Sequence, residues 1–176
     1  MRKAVLYIAM SLDGYIADQN GRVDWLAGQD SAGERDDSYA QFAQTVDTVI
    51  MGWRTYHQIV TELSPGRWVY DGMQCYVITH HKEPSTQQIA FVSTDPCSLI
   101  QSLKHDAGKN IWICGGAMLA QQLMQKNLID IYHISVIPTI LGAGTRLFAS
   151  MEQEMPLRLL QVKDSNGIVE VVYQKR

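Results

Sequence analysis

Apolar residues come in short dense runs, separated by polar stretches rich in glycine, proline, asparagine and aspartate. "AVLYIAM" predicts a strand buried on both faces, ended by the turn signal in "SLDG". "YIADQNGRVDW" reads as a loop with a tight turn at Asn20-Gly21. In "SYAQFAQTV", Tyr39, Phe42, Ala43 and Val46 fall at helical spacing and make one face apolar. "DTVIM" is a second strand. Gly52 follows it, and "WRTYHQIV" sets Trp53, Tyr56 and Val60 on one side of a helix.

The same grammar continues through the middle of the chain. "QCYVIT" and "IAFVS" predict strands around the polar loop "HHKEPSTQ". Thr94 or Asp95 is placed to cap the next helix, with Pro96 in its first turn, Leu99 and Leu103 stacked four apart, and Gly108 as its stop. "NIWIC" predicts another strand, then two glycines, then the helix "AMLAQQLMQK". "DIYHISVIPTIL" is a long strand ended or interrupted near Pro138. In "LRLLQVKDSNGIVEVVYQ" two apolar-rich runs flank Asn166-Gly167, a hairpin signal. Strands alternating with helices imply an α/β fold with a mostly parallel sheet covered on both faces. The last hairpin adds antiparallel edge strands.

Length and composition narrow the class. The 176 residues fit one domain, 1–176, and 46% apolar with 19% charged residues is globular composition. The net charge is −3 and no basic block exceeds Arg2-Lys3 or Lys175-Arg176, so no clustered cationic face for nucleic acid is expected. No run approaches the roughly 20 apolar residues of a membrane span. Cys75, Cys97 and Cys114 are odd in number and form no C-x-x-C, which fits a reducing cytoplasm rather than a disulfide scaffold. No metal site is expected: His80 and His81 are adjacent and point different ways, and no further ligand has suitable spacing.

Candidate chemistry gathers at two strand–helix seams. In "ICGGAML", Gly115 and Gly116 stand between a strand and a helix, where free amides and the positive dipole end meet phosphate. A plain tight turn would use the same glycines. "VIMGWRTY" repeats the pattern: Gly52 lies at the seam, and Arg54 and Thr55 in the first turn can reach phosphate oxygens. Two seams in one small sheet suggest a ligand with an extended phosphate chain, such as a dinucleotide. His80, His81 and Lys82 follow a strand directly and could hold a further phosphate, or be merely solvated.

The order of "YIAMSLDGYIA", "VDTVIMGWRTY", "WICGGAML" and "ISVIPTILGAGTRLF" resembles the dihydrofolate reductase-like fold. More closely, it is similar to the family named for the reductase domain of riboflavin biosynthesis, the RibD C-terminal domain. The resemblance runs from about residue 3 to the end. It implies a three-layer α/β fold, with a central sheet of about eight strands and NADPH along the sheet's carboxyl edge. It implies cofactor contacts for Ala9, Ile16, Gly52, Arg54, Thr55, His80, His81, Lys82, Gly115, Gly116, Ala117, Met118 and Leu119. Trp25 matches a tryptophan on the nicotinamide and substrate side, and Asp24 lies beside it. Cys114 stands where the riboflavin enzymes carry an acidic substrate-binding residue, and Val23 where they carry serine. Dihydrofolate reductases use a buried carboxylate soon after the matching tryptophan. Asp30 has a compatible spacing for that catalytic role, and equally for a loop or cap. The resemblance further implies a homodimer. The function expected is an NADPH-dependent reductase of a small pterin or aminopyrimidine heterocycle. A true dihydrofolate reductase and a non-catalytic nucleotide-binding module are the alternatives.

Overall fold

The computed structural model describes residues 1–30, 37–151 and 153–176. Its strands are β1 (Ala4–Ser11), β2 (Tyr15–Ala17), β3 (Val46–Gly52), β4 (Gln74–Ile78), β5 (Ile89–Val92), β6 (Asn110–Gly115), β7 (Ile131–Ile137), β8 (Thr145–Arg146), β9 (Leu157–Ser165) and β10 (Ile168–Lys175). Its helices are α1 (Ser38–Ala43), α2 (Trp53–Gln58, continued by a π-helical turn at Ile59–Leu63), α3 (Pro96–His105) and α4 (Ala117–Gln125).

Eight strands form one sheet in the order β5-β4-β3-β6-β1-β7-β10-β9. The six from β5 to β7 are parallel, and β10 and β9 complete the sheet antiparallel. From β1 the chain winds outward through β3, β4 and β5, then reverses to lay β6 between β3 and β1. Right-handed crossovers place helices made while winding one way on one face, and those made after the reversal on the other. The packing follows this rule. On one face Ile111 and Ile113 of β6 join Ile100 and Leu103 of α3 and Leu119 and Leu123 of α4. On the other, Trp112 joins Phe42 of α1 with Val49, Met51 and Val77. Successive β6 residues thus serve opposite cores, which is why "IWIC" is apolar throughout.

Local signals set most boundaries. Asp95, rather than Thr94, caps α3: its Oδ2 accepts the Ser98 amide at 2.9 Å, and Pro96 opens the helix. Strand β7 ends at Ile137, directly before Pro138. Asn166 and Gly167 both take positive φ, the dihedrals a two-residue hairpin turn requires. Helix α1 is shorter than its apolar spacing suggested. The Thr45 hydroxyl and amide both turn back to the Phe42 carbonyl, and Val46 enters the core as the first residue of β3.

The stretch read as a loop after "SLDG" opens instead with β2, paired with β8. Gly144 makes that pairing possible: a Cβ there would stand 2.1 Å from the Ala17 carbonyl oxygen. Asp13 clamps the same region. Its carboxylate accepts the Ser11 hydroxyl at 2.6 Å and the amides of Leu141 and Gly142 at 3.1 and 2.7 Å. "SLDGYIA" and "PTILGAG" are therefore two halves of one structural unit at the carboxyl end of β1.

Candidate active site at the carboxyl rim of the sheet

Ligands of open α/β sheets sit where the winding reverses, beyond the carboxyl ends of the strands. Here that point is the β3-β6-β1 group. Met51 is in register with Gly115, so α2 and α4 begin side by side. Their N-cap residues, Gly52 and Gly116, are both extended and neither helix start has a side-chain cap. The amides of both first turns thus lack the usual side-chain acceptor.

The two seams touch. The Thr55 hydroxyl oxygen lies 3.5 Å from the point where a Cβ on Gly116 would stand, and 3.8 Å from that on Gly115. A Cβ on Gly52 would lie 3.9 Å from the Gly116 nitrogen. The Gly115–Gly116 peptide is cis, and Gly115 has φ of +132°. Below it, the Ile8 side chain approaches to 3.8 Å of the same Cβ position. The result is a shallow cradle of glycine backbone, one hydroxyl and two helix starts.

Side chains divide around this cradle. Arg54 is exposed in the first turn of α2, and Met118 is 82% exposed in that of α4. Ala117 and Leu119 turn into the core, so only their backbone can face a ligand. His80, His81 and Lys82 are exposed on the loop after β4 and line an open groove of about 620 Å³ with Thr79, Glu83, Pro84, Phe91 and Ser93. The His81 amide bonds to the Thr79 hydroxyl at 2.9 Å, and its ring stacks on Trp53 at 4.3 Å and 22°. Trp53 is the first residue of α2, so this stack joins groove to cradle. Helical periodicity alone places Trp53 only on an apolar helix face; its position directly after Gly52 is the local signal for this role.

A span of chain crosses the rim from α2 to the terminal hairpin. At one end Gln58 donates to the Gly21 carbonyl at 2.9 Å. At the other, Asn166 accepts from the Asp30 amide at 3.0 Å, donates to the Asp30 carbonyl at 2.9 Å, and receives the Gln29 amide through its own carbonyl. Trp25 lies between these anchors, half-buried, its indole N–H on the Arg22 carbonyl at 3.1 Å. Asp24 and Asp30 are both exposed. Asp30 is held by its backbone, and no buried carboxylate comes from this span among the described residues. Ala9 is half-buried in β1, and Ile16 of β2 packs on the α3–α4 core.

Cys114 is half-buried on the α1–α2 face, 3.2 Å from the Tyr70 hydroxyl. Burial pushes its thiol up to about 11, against a smaller opposing effect of that hydrogen bond, so it is protonated at neutral pH. It can offer a neutral S–H, not a thiolate nucleophile or an anionic acceptor. Aromatic rings floor this side: Tyr7 stacks on Phe42 at 4.1 Å, and Trp112 meets Tyr70 edge-on at 5.0 Å. Among the described residues no group of three His, Cys, Asp or Glu side chains could hold a metal, and no helix is long and apolar enough to cross a membrane.

The fold is that of the dihydrofolate reductase-like α/β proteins. The sequence profile of the RibD C-terminal domain matches residues 2–170, and the chain belongs to that family. It is 40% identical over 175 residues to YwjB of Bacillus subtilis, an uncharacterized protein, covering 98% of this chain and 97% of that one. A solved structure from Shewanella sp. PV-4, provisionally assigned to riboflavin biosynthesis, superposes with a TM-score of 0.85 at 24% identity, over 99% of each chain. A pyrimidine reductase-like protein of Corynebacterium diphtheriae gives 0.74 at 15% identity, covering 99% of this chain and 92% of that one. These structural likenesses bear on the fold.

Proposed function

We propose that the protein is an NADPH-dependent reductase of a small heterocycle of pterin or aminopyrimidine type. The observation that carries this reading is the cradle: two strand–helix seams meet at Gly52, Gly115 and Gly116 under the Thr55 hydroxyl. A pyrophosphate fits such a place because it needs close backbone approach and several donors, and a Cβ at Gly116 would fill the space. The family and its reductase-like neighbours support the same class.

The residues present fit NADPH. Amides at the starts of α2 and α4 and the Thr55 hydroxyl would hold the pyrophosphate. Arg54 would add a charged contact. Lys82, with His80 and His81, would hold the ribose phosphate in the groove that the Trp53–His81 stack joins to the cradle. Ala9 and Ile16 would border the nicotinamide on the β1 side, and Trp25 would close over the rim. When bound, NADPH supplies a hydride; the protein orients the partners and excludes water. Cys114 and Tyr70 would present neutral groups to the substrate. They suit an uncharged edge better than a cationic one.

Oxidation of NADPH, followed by absorbance with a panel of pterins, folates and aminopyrimidines, tests the reading. Turnover of a pterin or aminopyrimidine supports it. NADPH binding without oxidation across the panel would favour the non-catalytic module.

A further inference from the structure

A buried carboxylate lies in the terminal hairpin, away from both glycine seams. Glu170 of β10 is 6% exposed, in a run of valines. It is in register with Ser135 of β7, which is in register with Ala9 of β1. Cross-strand partners share a face. Two strand spacings separate Glu170 from Ala9, about 10 Å between backbones. The shared face is the α1–α2 side, where Tyr7 meets the His133 ring at 4.5 Å.

Among the described residues, the carboxylate is held by only two side-chain contacts, both long. Ser135 donates to Oε1 at 3.3 Å, and His133 Nε2 stands 3.5 Å from Oε2. Both exceed the ordinary ranges of roughly 2.5–3.0 Å for an O–H donor and 2.7–3.2 Å for an N–H donor. A carboxylate can accept about four hydrogen bonds, so capacity remains for a further donor. Lys163, in register across from Glu170 on β9, directs its ammonium to the Ser38 hydroxyl at 2.8 Å. Ala9 and Ser135, unlike Glu170, are only half-buried, so part of each is open to solvent.

We propose that Glu170, braced by His133 and Ser135, is the substrate-recognition carboxylate, accepting the paired N–H donors of an amino-substituted pyrimidine or pterin ring. Its relevance to catalysis rests on the reductase reading, through its place beside Ala9. It supplies from the last strand the buried acid that Asp24 and Asp30, both exposed, do not.

Calorimetry with 2,4-diaminopyrimidine tests this, against 2,4-dimethylpyrimidine, which lacks the donors, with NADPH titrated separately. The wild type should prefer the diamine about tenfold or more, and Glu170→Gln should abolish that preference with NADPH affinity unchanged. Glu170→Asp keeps the carboxyl group and retracts it by one methylene; it should lose most of the preference, and serves if Glu170→Gln does not fold. If the Glu170 contacts serve structure alone, these variants melt at a lower temperature and keep the preference, which overturns the proposal. So does a wild type with no preference. Diamine binding that depends on Glu170 in a protein that ignores NADPH supports the recognition site while sinking the reductase reading.

Discussion

The Thr55 hydroxyl oxygen stands 3.5 Å from where a Cβ on Gly116 would project, so the first turn of α2 reaches over the start of α4. Gly116 has φ of −80°, which an alanine tolerates, so its side-chain hydrogen matters for space rather than backbone freedom. Gly116→Ala is expected to fold with a melting temperature near that of the wild type. It should bind NADPH at least tenfold more weakly, because the methyl group occupies the cradle. Thermal melts and calorimetry on the same sample check both halves.

Arg54 is exposed and forms no ion pair with a described residue. Arg54→Ala should therefore cost little stability. If the guanidinium meets a phosphate, NADPH affinity should fall by about 1.5–3 kcal/mol. The wild-type affinity should also weaken more steeply with salt than that of the variant, measured by titration across ionic strengths.

Asp13 holds the Leu141–Gly142 loop to the end of β1, and its carboxyl is lowered from 3.8 to about 2, chiefly by the Ser11 hydroxyl bond and then by the amides of Gly142 and Leu141. A depressed folded-state value stabilises the fold above the unfolded value and is lost as pH falls through the folded one. Asp13→Asn should thus be less stable than the wild type at neutral pH. The gap should close between pH 4 and about 2, as urea unfolding at several pH values would show. A gap constant through that range would mean the charge is not what holds the loop.

Asn166 serves two structures at once, the hairpin turn and the chain span that carries Trp25. Asn166→Ala removes two hydrogen bonds and places a less suitable residue at φ of 50°, for a loss of about 1–3 kcal/mol. Replacing Asn166 by glycine relieves the dihedral but not the bonds. Trp25 emission should shift to longer wavelength in both variants, read against a Trp25→Phe background.

Strand β9 is the sheet's last strand, and Leu159, Leu160 and Val162 on it are each at least half exposed. An apolar edge invites pairing with a second edge. Pairing with a second copy of the chain is the homodimer proposed from the family resemblance. Light scattering should give twice the chain mass for the wild type and a monomer for Leu160→Lys with Val162→Lys. A monomeric wild type would remove the proposal.

What could be read from the sequence follows from the range of each signal. The alternation of "NIWIC" with "AMLAQQL", the Asn166-Gly167 turn and the Asp95-Pro96 helix start are local, and each sits where it was expected. The glycine seams were legible because the demand falls on the backbone itself. Relationships between distant positions were not. Nothing within reach of Tyr15–Ala17 announces Thr145–Arg146 as its partner, nor Leu141 and Gly142 as the ligands of Asp13. The Trp53–His81 stack likewise depends on β4 lying beside β3. Glu170 left one local trace, a lone acid among alternating valines. Only the register with Ser135 and Ala9 gives it a place near the rim.

Calorimetric titration of the protein with NADPH and, separately, NADH tests the central claim most directly. Saturable binding of NADPH with one site per chain, weaker binding of NADH, and a parallel loss in Gly116→Ala and Arg54→Ala are the predicted results. Absence of heat with either dinucleotide at millimolar concentration, or full NADPH affinity in Gly116→Ala, would contradict it.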